Sequence, residues 1–134
     1  MKNQKKKKWN QFGVKYALNG IFNAFQSEKN LKIAFIAAVA VVILAIWLQT
    51  SATENAILAL TVGLVIAAEL INTAIEKAVD ISCEDILSKE LKKEPVNNNA
   101  KLAKDISAGA VLFTIFMAVV VGIIILIPKM IDKI

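Results

Sequence analysis

Histidine and arginine are both missing from this chain. Without histidine there is neither a His-ligated metal nor a His general base. Without arginine there is no arginine finger and no bidentate guanidinium clamp on phosphate. Cys83 stands alone, which rules out a disulfide framework or a cysteine metal cluster built within the chain. The 5 glycines, at positions 13, 20, 63, 109 and 122, form none of the glycine-rich loops that cradle phosphates. Any acid, base or metal chemistry is left to carboxylates, with lysine as the cation.

What the chain does have is apolar surface. Hydrophobic residues make up 57% of it, against roughly 45–50% in a soluble domain, and 134 residues allow a single domain. Three runs reach the length of about 20 residues that a bilayer core requires. Residues 33–53 and 106–128 carry no charge, and residues 55–75 carry only Glu69. Soluble bundles rarely use uncharged runs of that length. The first run starts too deep in the chain, and is too long, for a cleaved signal segment. The fold class that follows is all-α and integral to the membrane, with three transmembrane helices.

Lysine placement gives the expected orientation. Lys2, Lys5 to Lys8, Lys15, Lys29 and Lys32 precede the first span, and Lys89, Lys92, Lys93, Lys101 and Lys104 lie between the second and third. The hairpin "QTSATEN" has none. The N-terminus and the segment 81–104, read as a loop, are therefore expected to be cytoplasmic, although Lys129 and Lys133 sit on the wrong side. The net charge of +5 fits an anionic bilayer surface better than nucleic acid, because the lysines flank membrane segments and no nucleic-acid motif accompanies them.

Residues 9–30 read as an amphipathic surface helix. Val14, Leu18, Ile21 and Phe25 form one stripe at helical spacing, and Tyr16, Asn19, Gly20, Asn23 and Ser27 form a separate polar stripe. That helix is either a membrane anchor and nothing more, or its polar face meets something polar within the protein.

The stretch "AELINTAIEKAVD", residues 68–80, is the unusual one. At about 100° per residue Glu69, Asn72, Glu76 and Asp80 fall on one stripe about 80° wide and about 16 Å long, and the helix is expected to continue to about residue 80. An acid inside a membrane span costs on the order of 2.5–3.5 kcal/mol near the bilayer centre and is a functional hypothesis by default. Like charges so placed ask for a cation or a proton. The plainer alternatives are a solvated helix end for Glu76 and Asp80 and an interhelical hydrogen bond for Glu69. Across the polar segment, Lys104 and Asp105 precede the third span. Lysine binds phosphate as a point charge, and aspartate can hold a phosphate-bound Mg²⁺. Ser107, Ala108, Gly109 and Ala110 are small enough to let that span approach the acidic helix.

"YALNGIFNAFQSEKN", "AELINTAIEKAVD" and "AKLAKDISAGAVL" together resemble the prokaryotic diacylglycerol kinase and undecaprenol kinase family of small membrane lipid kinases, from about Phe12 to Pro128. The resemblance implies a homotrimer of chains with one surface helix and three membrane helices, working in the bacterial cell membrane. It implies transfer of the γ-phosphoryl group of ATP to the hydroxyl of a membrane lipid. Position by position it makes Glu69 the general base, with Asn72 beside it at the lipid. It makes Glu28 and Glu76 the ligands of nucleotide-bound Mg²⁺, and it adds Tyr16, Asp80, Lys104 and Asp105 to the nucleotide site.

Three departures accompany it. The 81–104 connection is longer than the resemblance implies, Trp9 stands where a basic residue is common, and Ala34 stands where many Gram-positive members have histidine. "AKDISAGAVL" and the closing "IPK" resemble the Gram-positive branch, which implies undecaprenol as acceptor, with diacylglycerol the alternative. A small proton-coupled transporter would use Glu69 but give no role to Glu76, Asp80, Lys104 and Asp105. A non-catalytic membrane scaffold would need none of them.

Overall fold

The computed structural model describes residues 3–89 and 98–133, with side chains over 13–82 and 98–133. It holds four helices, α1 (Asn3–Ser27), α2 (Lys29–Trp47), α3 (Ala52–Lys89) and α4 (Asn98–Lys133). Three of them contain stretches long and apolar enough to cross a membrane: α2 throughout, α3 over Ala52–Ser82, and α4. The protein is an all-α membrane protein, as its composition requires.

The boundaries differ from the sequence expectation in several places, each for a local reason. The surface helix ends at Ser27 rather than residue 30, because Glu28 is extended (φ −102, ψ 122) and caps the start of α2. The first span stops at Trp47 rather than 53. There the chain turns through Gln49 in the left-handed region (φ 54). The Gln49 amide bonds the Ile46 carbonyl and the Thr50 amide bonds the Ala45 carbonyl, the two closing bonds of a Schellman motif. The next helix starts at Ala52 rather than 55, because Ser51 and Glu54 form a reciprocal capping box: the Ser51 amide donates to Glu54 Oε2 at 2.6 Å, and the Glu54 amide donates to Ser51 Oγ at 3.3 Å. The loop expected over 81–104 is helical at both ends, since α3 runs on to Lys89 and α4 begins at Asn98. Residues such as Glu84, Leu87 and Lys89 are good helix formers, so polarity there does not mean loop. Residues 90–97 and Trp9's side chain lie outside what is described. Finally, Pro128 does not end the third span; α4 carries it within the helix and continues to Lys133.

The two lysines that disagreed with the charge pattern have partners. Lys129 pairs with Glu54 at 3.1 Å. The Lys133 ammonium donates to the Trp47 carbonyl and lies 4.6 Å from the centre of the Trp47 ring. Both are thus drawn onto the α2–α3 hairpin, which they fasten to the last turns of α4.

Packing is inverted relative to a soluble domain. Large apolar side chains such as Ile36, Ile46, Leu60, Leu112, Phe116 and Ile124 face outward. Buried positions include Glu69, Asn72, Thr73 and Ser107. In lipid this is the economical arrangement, because apolar groups lose nothing by facing acyl chains while polar groups gain by meeting one another. The α3–α4 pair is the most extensively packed, and α1 touches α2 and α3 lightly. At that corner Phe25 of α1 meets Phe35 of α2 edge to face, 5.4 Å between ring centres.

Candidate active site

Glu69, Asn72 and Glu76 open onto one groove between α2, α3 and α4, with a volume of about 720 Å³. Its other walls are small and apolar, among them Ala34, Ala38, Val62, Ala108, Val111 and Gly122. The lining on α3 runs from Val62 to Glu76, which at 1.5 Å per residue is about 21 Å along the axis. The polar residues gather at one end, and the rest of the groove is hydrocarbon-like.

Glu69 is the deepest of the acids, 5% exposed. Glu76 stands two turns further along α3 and is oriented by neighbours. Asn72 Nδ2 donates to Glu76 Oε1 at 3.1 Å. Asn72 is set in turn by α4, where Ser107 Oγ lies 2.6 Å from Asn72 Oδ1 and 2.9 Å from the Lys104 carbonyl. The single hydroxyl hydrogen is shared between those two acceptors. A contact line therefore runs from α4 through Ser107 and Asn72 to Glu76.

One turn beyond Glu76, Lys104 of α4 makes a short ion pair with Asp80. This joins the two helices on either side of the segment 90–97. Glu28, at the α1–α2 corner, pairs with Lys77 of α3 at 3.2 Å and accepts from Ser27 Oγ at 3.1 Å. The Lys77 ammonium, followed by the Ser27 hydroxyl, holds the Glu28 carboxyl below the usual carboxylate range.

The structure thus brings together Glu69, Asn72 and Glu76, and sets Lys104 on Asp80. It places Glu28 against Lys77, outside the groove lining, and leaves Tyr16 and Asp105 exposed and outside that lining as well. Among the described residues no three acids or cysteines form a ready-made metal cage. Two participants were not legible as such beforehand. Ser107 was readable only as a small residue, and its hydroxyl matters because α4 turns it onto Asn72. Lys77 lies about 100° round the helix from Glu76, off the acidic stripe, and its partner is 49 positions away in sequence.

A buried acid thus opens onto a largely apolar groove, next to acids and lysines at one end of a three-span bundle. Residues 15–126 match the sequence profile of prokaryotic diacylglycerol kinase, and the chain belongs to that family. It is similar to a diacylglycerol kinase of Synechocystis sp., 38% identical over 118 residues, which is 88% of this chain and 62% of that protein. It is also similar to an undecaprenol kinase of Bacillus subtilis, 34% identical over 115 residues, 86% of this chain and 85% of that one. The chain thus spans about three-fifths of the length of the first of these relatives and most of the second.

Proposed function

We propose that this chain is an ATP-dependent lipid kinase that transfers the γ-phosphoryl group of ATP to the hydroxyl of undecaprenol, giving undecaprenyl phosphate. The observation that carries the reading is Glu69, a buried carboxylate lining a groove that is apolar beyond its polar end. A hydroxyl on a lipid that stays in the bilayer can reach an acid at that depth, whereas a soluble alcohol would have to leave water to do so. The hydroxyl oxygen forms the new bond to the γ-phosphorus, the bond from that phosphorus to the bridging oxygen of ADP breaks, and Glu69 takes the proton. Asn72, within the same groove, positions the acceptor end of the lipid.

Nucleotide is met at the same end of the bundle by Lys104, Asp80, Tyr16 and Asp105, with Glu28 and Glu76 as the ligands of Mg²⁺. The donor set fits that ion, which on a nucleotide takes one or two carboxylates besides phosphate oxygens and waters. The contact of Glu28 with an ammonium supports the same assignment, since its oxygen is already presented to a positive charge. Held by these two carboxylates, Mg²⁺ would supply neutralisation of the charge developing on the phosphoryl oxygens. Undecaprenol is proposed over diacylglycerol on the resemblance of "AKDISAGAVL" and the closing "IPK" to the Gram-positive branch, the relatives themselves carrying both names. The lysine pattern supports a cell-membrane protein whose N-terminus and Asp80–Lys104 end are cytoplasmic, and the homotrimer is what the resemblance of the sequence motifs implies. Offering undecaprenol and diacylglycerol separately, with ATP radiolabelled at the γ-phosphorus, tests the acceptor: label in undecaprenyl phosphate is the expected result, and label in phosphatidic acid alone would replace the acceptor while keeping the chemistry.

A further inference from the structure

Among the described residues, Lys77 meets a carboxylate that the reading above assigns to the metal. Its ammonium lies 3.2 Å from Glu28 Oε1, the oxygen that also takes the Ser27 hydroxyl. Lys32, also at this corner, donates instead to the Gln26 carbonyl at 2.8 Å. Although Glu28 stands at the cap position of α2, its carboxylate makes no capping hydrogen bond, so moving it leaves the helix start intact. The Lys77 side chain is 61% exposed, and an ion pair so open to water is held weakly enough to be exchanged. Lys77 also follows Glu76 directly in α3, so its stem springs from the same turn as the second proposed metal ligand.

These facts describe a tethered cation within reach of the place where a mobile one is needed. We infer that Lys77 is an exchangeable place-holder: it occupies Glu28 in the nucleotide-free protein and moves its ammonium onto the polyphosphate when Mg·ATP arrives and Glu28 turns to the metal. The inference rests on the kinase reading given above. Charge is matched on both sides of the exchange. Before it, Glu28 and Lys77 neutralise each other; after it, Glu28 faces the divalent cation and Lys77 faces a phosphate oxygen. The device keeps an acid at the membrane surface from standing uncompensated, and it makes bare metal a poorer ligand than metal carried in on nucleotide.

Two titrations of the full chain in detergent test this, one with Mn²⁺ alone followed by its paramagnetic signal and one with Mg·ATP followed by calorimetry. Lys77→Met is expected to bind Mn²⁺ alone several-fold more tightly, since its competitor is gone, and Mg·ATP about tenfold more weakly, the worth of one charge-assisted contact. A lysine that merely ties α3 to the α1–α2 corner would move both affinities down together or neither, and either result overturns the inference. Lys77→Gln retains most of the stem, is read in the same way should the methionine variant fail to assemble, and is expected to show the same opposed shifts. If the unaltered protein binds no Mg·ATP at all, the kinase reading falls and the exchange with it. If it binds Mg·ATP and the variants leave both affinities unchanged, Lys77 alone is wrongly assigned.

Discussion

Ser107 on α4 approaches Asn72 on α3 to 2.6 Å, and the other end of the Asn72 amide donates to Glu76. One hydroxyl on one helix therefore fixes the orientation of an acid on another. Ser107→Ala removes the hydroxyl while keeping the close helix approach, so the bundle should lose only about 1 kcal/mol, the usual net value of one hydrogen bond. The effect on Glu76 should be larger in function than in stability. The KM for Mg·ATP is expected to rise several-fold with kcat changed less, and Ser107→Thr, which restores a hydroxyl, should recover part of the loss. Steady-state kinetics on both variants checks this.

The Lys104–Asp80 pair separates stability from function in another way. Both side chains are partly exposed, 36% and 55%, so breaking the pair should cost no more than about 1 kcal/mol. If Lys104 instead works on phosphate, Lys104→Ala should weaken Mg·ATP binding by about tenfold or more, the worth of a hydrogen bond to a charged group. Asp80→Asn should leave Lys104 present and weaken binding less. Calorimetric titration of the two variants, with thermal melts alongside, gives both quantities.

At the opposite end of the bundle the expected changes concern stability and leave activity untouched. Gln49 takes a left-handed conformation (φ 54) that glycine adopts freely. Gln49→Gly should relieve about 1–2 kcal/mol of strain and give back about 0.5–1 kcal/mol in chain entropy, for a small net rise in melting temperature. Glu54→Ala removes the capping box and the Lys129 contact together and should lower the melting temperature. Phosphotransfer at the distant site should be the same in both.

The acidic stripe was legible in the sequence because helical periodicity alone puts Glu69, Asn72 and Glu76 on one face, and an acid within an apolar span needs a reason to be there. The approach of α4 was signalled by Ser107, Ala108, Gly109 and Ala110. Which of those side chains would touch Asn72 was not, since the rotation of α4 against α3 is a property of packing. The ends of the spans differ because lack of charge does not mean helix: residues 48–51 are uncharged yet form the turn between α2 and α3. The signal that corrects it was present, in the spacing of Ser51 and Glu54. Polarity likewise suggests a loop over 81–104, whereas α3 runs on to Lys89 and α4 begins at Asn98. Lys77 lies off the stripe, and no local pattern in the sequence links it to Glu28.

The central claim is that Glu69 accepts the proton of a lipid hydroxyl. Its most direct test is transfer of label from the γ-phosphorus of ATP to undecaprenol in bilayers, by the unaltered protein and by Glu69→Gln, with Mg·ATP affinity measured on both. The glutamine keeps the shape of the side chain and its place in the groove but cannot serve as the base. The account predicts labelled undecaprenyl phosphate from the unaltered protein and a loss of turnover of at least about a hundredfold in the variant, with nucleotide affinity nearly unchanged. Turnover by Glu69→Gln at the unaltered rate would contradict it.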